Sequence, residues 1–128
     1  MAHILFTRLG REINKDELTG RDLLMEESDN LAWMNASVGF VLAVYWLGYI
    51  GESFSLSYTL MDEADKILDR PPIRECEFIR EEINVSTANF YAAFPHTGSY
   101  HIDIYQNGLL TTTIPVHVIG SEQSRATE

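Results

Sequence analysis

The sequence predicts an all-β protein, an antiparallel two-sheet sandwich of about seven strands. Three observations carry that expectation. From Ser53 to Leu60 the chain alternates without a break. Phe54, Leu56, Tyr58 and Leu60 point one way and Ser53, Ser55, Ser57 and Thr59 the other, the pattern of a strand with one dry and one wet face. Thr97 to Ile119 reads as a β-hairpin about Asn107-Gly108. Further strand-like stretches recur at roughly ten-residue spacing, with turn residues between them.

Taken in order, Ala2 to Leu9 forms a first strand around Ile4 and Phe6. Gly10 to Asn30 is polar and acidic, with one apolar knot at Leu23, Leu24 and Met25. It reads as a loop or a short hairpin through Thr19-Gly20, with a strand over Asp22 to Glu26. A short helix capped by Asp16 or Thr19 is the open alternative.

Asn30 to Gly51 carries no charged residue. A membrane helix needs about 20 apolar residues, and Asn35, Ser37, Gly39 and Gly48 interrupt this run. The upstream flank is acidic (Glu26, Glu27, Asp29) rather than basic. A buried central strand over Ser37 to Leu47 fits better than a span over 30–51.

Met61 to Pro72 is a polar connection, with a helical turn over Asp62 to Leu68 as an option, closed by Pro71-Pro72. Glu75 to Val85 suits strand or helix and is assigned to strand. Thr87 to Phe94 continues as strand with Phe90 and Ala92 inward. Residues 1–120 make one domain, and the polar 121–128 a disordered tail.

In the hairpin, a two-residue loop would split the apolar set between faces. A three-residue loop with a bulge places Ile104 opposite Leu110, Ile102 opposite Thr112 and Tyr100 opposite Ile114, so that all share one face. The three-residue loop is therefore expected. Pro115 has no N–H for a ladder, which puts its strand near a sheet edge.

The succession Pro95, Gly98, Tyr100, Ile102, Ile104, Asn107, Gly108, Ile114, Val116 and Val118 resembles the last two strands of immunoglobulin-like domains. With MAHILF and GESFSLSYTLMDEADKIL, the chain resembles small bacterial or phage proteins built as stand-alone immunoglobulin-like sandwiches. The resemblance implies a fold. It implies no site residues, and there is no Cys…Trp…Cys core.

The chain has 128 residues, with 19 acids against 9 bases and a formal net charge of −10, which argues against direct nucleic-acid binding. Cys76 is the single cysteine, which rules out an intramolecular disulfide or a multi-cysteine metal site. No secretory signal opens the sequence, so a cytoplasmic location is expected.

No Gly-x-Ser-x-Gly elbow or glycine-rich phosphate loop occurs. Acidic Glu75 and Glu77 beside Cys76 oppose thiolate formation. In the expected register His101 and His117 lie about 13 Å apart, too far to share a metal. Asp62, Glu63 and Asp65 lack the spaced pattern of a calcium loop. No cofactor or metal is expected.

Trp33, Tyr45, Trp46 and Tyr49 are the densest aromatic group and the candidate binding residues, with core and rim packing as the alternative. The sequence therefore reads as a non-catalytic protein-binding module that acts through edge strands or an aromatic and acidic surface. Self-association near Pro115 or Tyr45–Tyr49 is an option. The rivals are an acidic mimic of nucleic acid, phage-encoded, that inhibits a basic host protein, and an enzyme with a loop site built from His96, Asp62 and Asp65.

Overall fold

The computed structural model of the chain describes residues 2–15, 22–25, 27–28, 30–33, 36–79 and 83–120. Among these it forms strands and no helix: β1 (His3–Gly10), β2 (Glu12–Lys15), β3 (Asp22–Met25), β4 (Asn30–Ala32), β5 (Val38–Leu47), β6 (Ser53–Met61), β7 (Ile67–Asp69), β8 (Arg74–Glu77), β9 (Ile83–Ala92), β10 (Gly98–Gln106) and β11 (Leu109–Ile119). The expected seven become eleven because five are only three or four residues long.

A three-stranded antiparallel sheet, β1-β5-β9, faces a larger sheet ordered β4-β11-β10-β6, with β7 and β8 along the far side of β6. β2 and β3 pair as a separate hairpin, and its expected turn at Thr19-Gly20 lies outside the described residues, as does the tail 121–128.

The core is the apposition of the two inner faces. Phe40, Leu42, Val44, Trp46, Ala88 and Phe90 from the smaller sheet meet Leu56, Tyr58, Leu60, Tyr100, Ile102, Ile104, Val116 and Val118 from the larger. Each large apolar side chain buried this way contributes about 1.5–3 kcal/mol before the cost of ordering the chain. Trp46, Phe54 and Phe78 close one end as an aromatic cluster, with ring centroids 5.1–6.3 Å apart. Gly48 lies under the Phe78 ring, where a Cβ would come within 2.2 Å of it.

The structure corrects the sequence at four places. The hairpin turn has two residues, not three. Asn107 and Gly108 have φ of 50° and 80°, the signs a type I′ turn demands. Gln106 faces Leu109 and Tyr105 faces Leu110; a bulge then shifts the register so that Ile104 faces Thr112 and Ile102 faces Ile114. The extra residue, Thr111, sits in the strand rather than in the loop, and the apolar set still shares one face. Asn107 fixes the turn by exchanging bonds with β6: its N–H donates to Ser55 O at 2.9 Å, and its Oδ1 accepts from the Ser55 N–H at 3.0 Å.

Second, the optional helix at 62–68 is a turn followed by β7. The Asp62 carboxylate accepts from the N–H groups of Ala64 and Lys66 at 2.9 Å, holding the chain out of helical register. Third, Glu75–Val85 is not one strand. β8 belongs to the larger sheet and β9 to the smaller, so the chain crosses between them after Phe78. Fourth, His101 faces Pro115 and His117 faces Ser99, which brings the two histidines to diagonal positions instead of about 13 Å apart.

Both lateral seams are laced. On one, the Ser28 N–H donates to Leu9 O of β1 at 3.0 Å. The chain then crosses to run parallel to His117–Ile119 as β4, and the Trp33 N–H donates to Ile119 O at 2.7 Å. On the other, Asp69 at the end of β7 accepts the Tyr91 N–H of β9 at 2.9 Å. The segment 30–51 contributes β4 and β5, and no helix among the described residues is long and apolar enough to cross a membrane.

Candidate interaction surface

Alternation along β5 sends Phe40, Leu42, Val44 and Trp46 into the core, so Tyr45 and Leu47 must face outward. Their neighbours across the ladder do the same: Phe6 opposite Tyr45 on β1, and Val85 and Ile83 opposite Tyr45 and Leu47 on β9. The result is an apolar outer face on the smaller sheet. Phe6, Leu47, Ile83 and Val85 are 40–46% exposed. Phe6 and Tyr45 stack with centroids 4.3 Å apart and planes 17° from parallel, and Arg8 lies 5.9 Å above the Phe6 ring.

Partial burial pushes the Tyr45 hydroxyl pKa up, and Glu27 at the rim adds to the shift while Arg8 opposes it. Arg8 is the one Arg, Lys, Asp or Glu that the three strands place on this face, on a chain of net charge −10.

The four aromatic candidates separate. Trp46 is fully buried and belongs to the core: its Nε1–H donates to Ser86 Oγ at 2.8 Å. Trp33 is half-buried at the seam, where its Nε1–H donates to Phe94 O at 3.0 Å. Tyr45 lies on the apolar face. Tyr49, 73% exposed, stands on the β5–β6 turn with Ile50. There Glu52 accepts the Tyr49 N–H at 2.8 Å, which lowers its carboxyl pKa.

Phe6, Leu47, Ile83 and Val85 escape the sequence reading, although β9 holds the signal. Ile83 and Val85 are out of phase with Ala88, Phe90 and Ala92, so no register buries both sets. The structure turns Asn84 and Ser86 inward instead. Ser86 meets Trp46, and Asn84 Oδ1 accepts the Ile79 N–H at 3.3 Å.

The loop residues do not converge. Asp62 is engaged in its own turn, and His96 packs beside Tyr100 with centroids 5.9 Å apart. It is His101 that approaches Asp65, at 3.4 Å. Among the described residues no three His, Cys, Asp or Glu gather to hold a metal. Cys76 is half-buried, and burial, then Glu75, pushes its thiol pKa up, away from thiolate chemistry. A cleft of about 110 Å³ opens at the seam between Arg8 and Pro115, lined by Thr7, Leu9, Ser28 and Ile114 without a nucleophile–base pair.

No family model matches the sequence, and a search of curated proteins finds no match. Solved structures do resemble it. A Bacteroides fragilis protein assigned as a β-galactosidase superposes with a TM-score of 0.54 at 14% identity, over 66% of this chain and 14% of that one. A Listeria innocua β-glucosidase, solved with isofagomine, gives 0.46 at 8% identity, over 94% of this chain and 16% of that one. The CARDB domain of a Pyrococcus furiosus protein, solved with di-metal ions, gives 0.42 at 17% identity, over 90% of each. The chain thus spans 14% and 16% of the lengths of the first two, and the likeness to the first is one of fold.

Proposed function

We propose that this immunoglobulin-like sandwich is a non-catalytic protein-binding module, and that it engages its partner through the outer face of β1-β5-β9. One observation carries the reading: Phe6, Tyr45, Leu47, Ile83 and Val85 form an apolar surface on an otherwise strongly acidic chain. Contiguous exposed apolar side chains with stacked aromatics are what interface centres use. The outer face of the larger sheet is more polar, with Ser53, Ser55, Ser57, Asp103 and Thr113 on it and an exposed Leu110 opposite Tyr105. Arg8 and Glu27 at the rim give a partner two charges by which to set its register.

The nucleic-acid mimic draws less support. The acids from Asp62 to Glu77 are interleaved with Lys66, Arg70 and Arg74 and do not form a phosphate-like row.

The reading is tested by comparing proteins captured from the native cell by the wild type and by a Phe6→Ser/Leu47→Ser variant, with circular dichroism confirming that both are folded. Loss of a specific captured protein with the variant supports the outer face. An identical captured set overturns it.

A further inference from the structure

A sheet that ends in an unpaired strand presents a row of free N–H and C=O groups, and folds blunt such edges with proline, charge, bulges or cover. Three of the four edges of the two packed sheets carry such devices. β1 has a bulge between Ile4 and Phe6, carries Arg8, and is bridged by Ser28. β11 is covered by β4 at His117–Ile119 and holds Pro115 beyond it. On the far side of β6, β7 and β8 are three and four residues long and contain Asp69, Arg74, Glu75 and Glu77.

β9 differs. It is ten residues long, INVSTANFYA, without charge, proline or glycine, and it terminates the smaller sheet. The Tyr91 N–H reaches Asp69 rather than β5, which fixes the direction of the backbone. Strand alternation then turns the N–H and C=O of Ile83, Val85, Thr87 and Asn89 away from β5 as well. Asp69 stops the free row at Tyr91, leaving Ile83 to Asn89 open among the described residues and centred on Ser86.

We propose that this edge pairs with the same edge of a second copy, antiparallel about a two-fold axis at Ser86. Val85 then exchanges both backbone bonds with Thr87 of the other copy, and Ile83 with Asn89, which joins two three-stranded sheets into one of six. Self-pairing fits for two reasons. The open row is symmetric about its centre, and an uncharged strand brings no like charges opposite one another, although each chain carries −10 overall. The proposal does not depend on the outer face binding another protein.

Sedimentation of the full chain over a range of concentrations and salt tests it. A monomer–dimer equilibrium that strengthens with added salt is expected, since screening relieves the net repulsion. Thr87→Pro removes an N–H that points away from β5, so it spares the intrachain ladder and should weaken dimerisation roughly tenfold or more. Val85→Lys/Thr87→Lys places like charges directly opposite and should do the same, which decides the matter if the proline variant does not fold. Amide exchange at Val85 and Thr87 should slow with concentration, while that at Ser86 and Ala88, bonded to β5, does not change. A chain that stays monomeric throughout overturns the proposal, as does a dimer unaffected by both variants.

Discussion

The two sheets share one core and turn opposite chemistries to the outside. On the larger sheet, the outward residues of β6 are Ser53, Ser55, Ser57, Thr59 and Met61. Beside them Asp103 accepts from Thr113 Oγ1 at 2.7 Å and from the Tyr105 hydroxyl at 3.4 Å. The smaller sheet shows Phe6, Leu47, Ile83 and Val85 at 40–46% exposure with Tyr45 half-buried beside them, while Val41 and Ala43, turned the same way, are buried. The larger sheet completes the fold, while the smaller one carries apolar surface beyond what the fold uses.

Neighbouring residues on β5 test that division most sharply. Trp46→Ala should cost about 3–5 kcal/mol in urea unfolding, from the lost ring and the cavity it leaves, whereas Tyr45→Ala should cost less than about 1 kcal/mol. Equal costs would mean that the outer face is covered within the monomer.

Tyrosines give the next largest contrast. Burial against the core pushes Tyr58 up to about 12, only partly offset by its Ser86 contact. Because the folded value exceeds the unfolded value of about 10, the neutral phenol is favoured on folding. Its contribution is full below pH about 10 and is lost as pH rises toward about 12, on the order of 2–3 kcal/mol in total. Tyr58→Phe should flatten stability across that window, and ultraviolet titration of that variant should lose the step near pH about 12.

Gly48→Ala drives a methyl into the Phe78 ring and should cost about 1–3 kcal/mol, read as a lowered melting temperature. A smaller effect than these belongs to the outer face of the larger sheet. Asp103→Ala takes from the Thr113 and Tyr105 hydroxyls their largely buried acceptor, so a loss of about 1 kcal/mol is expected in the same unfolding assay.

The same contrast explains what was legible in the sequence. β6 is unmistakable because a face that meets water must alternate. The β10–β11 hairpin is visible for the same reason, yet its turn length is not. Turn and bulge trade one residue between them, and Thr111 in the strand gives the facing that an extra loop residue would have given. β5 shows as a central strand, but an apolar run looks alike whether its second face is covered by its own chain or left open. Trp46 and Tyr45 therefore could not be told apart as core and surface. β9 was obscured by polar residues that point inward: Asn84 and Ser86 find partners in the core, and the phase break they cause was hidden by reading two strands where one runs.

The crossing from Ser28 to Ala32 sets the order in which the molecule can be completed during synthesis. β4 leaves the ribosome well before the strand it lies against, which ends at Ile119, and six strands, β5 to β10, are made in between. A nascent chain that has passed β4 holds Leu31 without its lasting neighbour until β11 follows. Closure of that seam is thus timed by translation of β11, and a pause before it would lengthen the interval in which an unfinished edge stays open to the wrong partner.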